Sequence, residues 1–208
     1  FHQPRFVWIF PDLLHTLPER EFRAGLAEVI KYGVIKNPLL FDYLEKNLEA
    51  ILSRDLEHLC TIIESSCAVK SEIVQRNQTD RAILEWGQAF THAIEMATDY
   101  SRYLHGEAVA IGMSCAAQIS QLLGFSNNEL TKRQDALSAR AGLPLNLPNI
   151  PSETLLKIIE DEAKNKSGAI SLVVAEKIGK AFKVPNVDKM KIKEVLDLGT
   201  VSIPKLKS

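Results

Sequence analysis

The sequence predicts a mainly α-helical domain with one leading strand and a small β-hairpin, and three observations predict it. Apolar residues recur at three and four positions through 55–74, the period of a helix with one buried face. From Gly106 to Leu123 the residues are small or apolar nearly all round, as in a helix packed on every side. Strand-like runs are confined to Phe6–Phe10, Ile170–Val174 and Ala181–Val184.

Taken in order, Phe1-His2-Gln3-Pro4 leads into the run Phe6-Val7-Trp8-Ile9-Phe10, a buried-strand pattern with nothing before it to pair with, as expected of a piece cut from a longer chain. Asp12 to Pro18 turns the chain, and a helix from Pro18 to about Gly33 places Glu19 and Glu21 at the positive end of its dipole. Asn37-Pro38 opens another, with Leu40, Leu44 and Leu48 on one stripe. Asp55 starts the long helix to about Val74, carrying Leu59, Ile62, Ile63, Cys67, Val69 and Ile73 inward. Gln75–Asp80 is polar and reads as a loop, and a helix follows from Arg81 through Glu95. Asn127 caps a helix ending at Gly142, and three prolines make Leu143–Pro151 a non-helical crossing. Ser152 opens a helix that fades near Lys164. Ile178-Gly179-Lys180 turns the hairpin, and Val187–Leu198 is a final helix whose Lys189, Lys191 and Lys193 form a solvated face.

A net charge of -1 and a pI near 6.6, with no basic stripe, argue against a nucleic-acid or membrane-surface protein. No apolar run approaches the roughly 20 residues of a membrane span. The three cysteines, Cys60, Cys67 and Cys115, lack metal-ligand spacing and lie in helical patterns where a buried thiol is expected; so sparse a count suits a reducing cytoplasm.

Polar groups concentrate in two places. On the helix expected here Glu85, Gln88 and His92 share a face, at i, i+3 and i+7, and His105 sits at a helix start where free N–H groups favour anions. Glu28 and Lys31 lie within Gly-Leu-Ala-Glu-Val-Ile-Lys-Tyr-Gly, where a carboxylate among apolar neighbours needs a partner. A lysine or arginine is the commoner partner, a divalent metal the rarer one. For a single histidine, a satisfied core or surface role is the default; for Lys70, near the end of its helix, a solvated amine is.

The segments Phe-His-Gln-Pro, Thr-Leu-Pro-Glu-Arg-Glu-Phe-Arg-Ala-Gly-Leu-Ala-Glu-Val-Ile-Lys-Tyr-Gly, His-Ala-Ile-Glu and Leu-His-Gly-Glu-Ala-Val-Ala-Ile-Gly-Met closely resemble 3-dehydroquinate synthase, from Phe1 to about Leu198. The resemblance implies that 1–208 is the C-terminal helical domain, supplying metal ligands and most substrate contacts. Residues 1–11 would be a strand of an N-terminal nucleotide-binding domain that this chain lacks. It implies a lyase of aromatic amino acid biosynthesis, converting the phosphorylated keto acid DAHP to 3-dehydroquinate in the shikimate pathway. NAD, bound mainly by the absent domain, and a divalent metal, usually zinc, would be its cofactors, and a homodimer in the cytoplasm its form. Glu28 then matches the carboxylate metal ligand and His105 one of two histidine ligands, while Lys31, Lys70, Arg81, His92 and Lys164 match positions that bind substrate or handle protons.

The departures are as specific. Where the family reads Leu-Asn-Phe-Gly-His-Thr-Phe-Gly-His, this chain reads Leu-Glu-Trp-Gly-Gln-Ala-Phe-Thr-His, so Gln88 stands at the second histidine ligand and Glu85 at a substrate-contacting asparagine. Ala163 replaces the first lysine of a pair, and the loop before Arg81 is about three residues short. An amide is a poor zinc ligand, so weak or no zinc is expected. Besides the working enzyme, a related sugar-phosphate cyclase and a catalytically silent interaction module remain as alternatives.

Overall fold

In the computed structural model, residues 5–75, 81–166 and 168–200 are described; the expected Phe1–Pro4 lead and most of the Gln75–Asp80 loop lie outside them. Eight α-helices are seen among these residues: α1 Glu19–Ile35, α2 Pro38–Leu52, α3 Leu56–Gln75, α4 Gln88–Ala97, α5 His105–Leu122, α6 Asn128–Arg140, α7 Ser152–Lys166 and α8 Lys189–Thr200. The antiparallel hairpin of β1 (Leu172–Lys177) and β2 (Lys180–Val184) stands between α7 and α8.

The caps follow the sequence. Asn37 accepts a hydrogen bond from the Leu40 N–H with its side chain, and Asn127 does the same for Glu129. Leu40, Leu44 and Leu48 are buried as one stripe. Helix α5 is buried almost all round and lies between two cores. On one side it meets α1–α3 through Val109, Ala110, Met113 and Ala116. On the other, Ala108, Ile111, Cys115 and Ile119 pack with α4, α7 and α8. The hairpin docks on this pair of layers: Leu172–Ala175 is buried on both faces, the Ala175 N–H donates to Ser120 Oγ on α5 (3.1 Å), and the Gly179 N–H donates to the Val34 carbonyl (2.7 Å).

The run Phe6–Phe10 is exposed, joins no ladder among the described residues and is followed by a 3₁₀ turn, Pro11–Thr16; an extended segment becomes a strand only where another strand supplies its hydrogen bonds. Two expectations need correction. The helix expected from Arg81 to Glu95 is broken. A 3₁₀ turn covers Ala82–Glu85, Trp86 is extended, and Gly87 takes φ 75 before α4 begins. That turn buries the Trp86 indole, whose N–H donates to Gln134 Oε1 at 3.1 Å, and packs Gly87 against Gly112 on α5. Finally, only Cys115 is buried; Cys60 and Cys67 point outward from α3.

Candidate active site

Close helix packing places the first cluster. A Cβ on Gly106 would stand 1.9 Å from the Ala24 carbonyl oxygen, so only glycine lets the start of α5 meet α1. His105, next door, is thereby brought to Glu28, with Nε2 3.4 Å from Glu28 Oε1. The other ring nitrogen, Nδ1, lies 2.8 Å from Glu95 Oε1 on α4. The nearly buried Glu95 carboxylate holds the proton on Nδ1 and leaves Nε2 facing Glu28. The second oxygen of Glu28 is 2.7 Å from the Lys31 ammonium, whose side chain is 7% exposed. Lys31 thus has the carboxylate partner that a buried charge requires.

A second cluster forms at the start of α4. His92 Nδ1 is 3.1 Å from Glu162 Oε1 on α7, and the Gln88 amide N–H donates to His92 Nε2. Gln88 and Glu162 also line a cavity of about 210 Å³ with Phe90, Ser171 and Lys183. Glu85 is not on α4, since the break at Trp86–Gly87 precedes that helix; it lines the same cavity, and its carboxylate pairs with Lys183 at 3.3 Å.

The remaining candidates stand apart. Lys164 is exposed and bound to Asp161 at 2.9 Å, which keeps the lysine pKa raised and that of the aspartate lowered. Lys70 and Arg81 are exposed and form no ion pair among the described residues. Glu95 and Glu162, which orient the two histidines, were not singled out by sequence. The signal for Glu95 was present in His-Ala-Ile-Glu, where a carboxylate falls on a helix of otherwise apolar moment; Glu162 offered none, because its partner is 70 residues away.

Residues 25–165 match a family model described as 3-dehydroquinate synthase C-terminal. The chain belongs to this family. It is 44% identical over 199 residues to the 3-dehydroquinate synthase of Thermodesulfovibrio yellowstonii, covering 92% of this chain and 55% of that protein. With the enzyme of that name from Halorhodospira halophila it is 44% identical over 184 residues, covering 87% and 52%. The chain therefore spans about half the length of these dehydroquinate synthases. Among solved structures, ValA, the 2-epi-5-epi-valiolone synthase of Streptomyces hygroscopicus with NAD+ and Zn2+ bound, superposes with a TM-score of 0.82 at 26% identity, over 91% of this chain and 54% of that one. A 2-deoxy-scyllo-inosose synthase complexed with carbaglucose-6-phosphate, NAD+ and Co2+ shares the fold, with a TM-score of 0.75 at 23% identity over 96% of this chain and 57% of that one.

The donors brought together among the described residues do not fit zinc. Glu28 and His105 bring two donor atoms together, but among the described residues no three His, Cys, Asp or Glu side chains group as a metal site. Catalytic zinc takes three protein ligands.

Proposed function

We propose that this chain is the helical, substrate-holding half of a 3-dehydroquinate synthase that converts DAHP to 3-dehydroquinate with loss of phosphate. NAD would be held mainly by a nucleotide-binding portion of the longer protein. The observation that carries the reading is the convergence of α1 and α5 on Glu28, Lys31 and His105, three residues that the family resemblance had named separately. Lys31 is a desolvated ammonium beside a carboxylate, suited to holding a substrate hydroxyl or carboxylate oxygen. His92, oriented by Glu162, can pass a proton at Nε2 once substrate displaces the Gln88 amide. Exposed Lys70, Arg81 and Lys164 are the cations for the phosphate and carboxylate, drawn onto the substrate as the longer protein closes around it.

Phe6 to Phe10, with Trp8 77% exposed, forms an apolar surface on which the remaining portion would pack. A second copy of the chain is the expected further partner. No helix among the described residues is long and apolar enough to cross a membrane, and the cytoplasm is the proposed compartment.

The test is phosphate release and 3-dehydroquinate formation from DAHP and NAD by the full-length protein carrying this chain, with Lys31→Met as comparison. Turnover that falls 100-fold or more in the variant, the range of one positioned acid or charge, supports the reading. Failure of the unsubstituted protein to form 3-dehydroquinate overturns it. A second reading, a cyclase for another sugar phosphate, is favoured by Glu85 and Gln88 and by the ValA superposition. Cyclisation of another sugar phosphate with release of phosphate, without conversion of DAHP, would select it.

A further inference from the structure

We infer that the Glu28–His105 pair is a two-donor remnant that does not retain zinc, because the residue at 88 is an amide already committed to His92. Helix α4 runs antiparallel along α5, as three contacts show: Gly87 lies against Gly112, Thr91 Oγ1 is 3.4 Å from the Ala108 carbonyl, and Glu95 meets His105. Gln88 therefore opens α4 at its Gly112 end, and it is the family resemblance that sets it at the third ligand position. Its N–H donates to His92 Nε2, and His92 is held in turn by Glu162.

The pair itself supplies one donor atom from each residue. Glu28 holds the Lys31 ammonium with one oxygen at 2.7 Å and turns the other towards His105. His105 meets Glu95 through Nδ1, the kind of contact that orients a ligating imidazole, and has Nε2 as its donor. One carboxylate oxygen and one imidazole nitrogen are what remain for a cation. Zinc is held by three or four nitrogen, sulfur or charged oxygen donors, and a neutral amide is a weak substitute. Glu85 is engaged elsewhere: it precedes the left-handed turn at Gly87, and its carboxylate pairs with Lys183.

The inference concerns metal affinity alone and stands apart from the substrate proposed above, since zinc binding is read without turnover. The experiment is competition of the full-length protein carrying this chain with a chromophoric zinc chelator, repeated for Gln88→His and His105→Ala, with circular dichroism to show that each is folded. The expected result is zinc binding by the unsubstituted protein no tighter than about 1 µM. Gln88→His should tighten binding by more than the roughly 10–100-fold that outer-shell partners contribute. Tight zinc binding by the unsubstituted protein that His105→Ala abolishes would overturn the inference, as would a folded Gln88→His protein with unchanged affinity. Tight binding that persists in His105→Ala would place the zinc elsewhere, as the inference requires of any tight site.

Discussion

Replacing Gly106 by alanine tests the contact on which the Glu28–His105 pair depends. The new Cβ would lie 1.9 Å from the Ala24 carbonyl oxygen and 2.5 Å from the carbonyl carbon. Carbon and carbonyl oxygen approach no closer than about 3.3 Å even in a favourable C–H···O contact. Both obstructing atoms are backbone, so no rotamer change relieves the overlap, and α1 and α5 must part by more than 1 Å. Overpacking of this kind costs about 1–3 kcal/mol or more, against which helix propensity returns at most about 1 kcal/mol. For a chain of this size each kcal/mol moves Tm by about 2–4 °C, so a net fall on the order of 5 °C is expected.

The companion change, Gly25→Ala, lies one residue beyond Ala24 on the same helix, where a Cβ meets nothing within 4 Å. There only the propensity gain applies, and Tm should rise by a few degrees. Thermal melts followed by far-UV circular dichroism compare all three proteins. If Gly106→Ala melts at or above the temperature of the unsubstituted chain, α1 and α5 do not meet as described.

Two further outcomes follow from exposure and charge. Cys60 and Cys67 are exposed while Cys115 is buried, its thiol pushed up to about 12 by burial and by the nearby Asp135 carboxylate. A thiol reagent at pH 8 should thus modify two cysteines at once and the third only in denaturant; three fast thiols would contradict the α5 packing. The Glu107 carboxyl is held below its ordinary value of 4.5 by its hydrogen bonds from Arg20, at 2.7 Å to each oxygen. Because its folded pKa is depressed, its contribution is complete above the unfolded value and is lost as pH falls through the folded one. The difference in urea midpoint between the unsubstituted chain and Glu107→Gln should accordingly shrink below about pH 4, whereas a constant difference down to pH 2.5 would show that Arg20 does not stabilise the charged form.

The sequence by itself determined the elements whose cause is local. The 3.6-residue stripe of Leu40, Leu44 and Leu48, the Asn37 and Asn127 caps, the all-round apolar surface of α5 and the hairpin turn at Gly179 were each legible, because periodicity and capping act within a few residues. The family resemblance also named Glu28, Lys31 and His105, and the structure brings these three side chains to one place.

What the tertiary structure decided are the features whose partners are distant along the chain. Helical periodicity runs on through Trp86, but burying its indole against Gln134, 48 residues away, breaks the helix at Gly87 and takes Glu85 off the helix it would have shared with Gln88. Cys60 and Cys67 fit a helical pattern equally well facing in or out, and only the position of α3 at the edge of the bundle exposes them. Glu95 and Glu162 became orienting carboxylates only when α5 brought His105 to the one and α4 brought His92 to the other. Spacing within a helix fixes which side chains share a face, but what that face meets depends on contacts made across the whole chain.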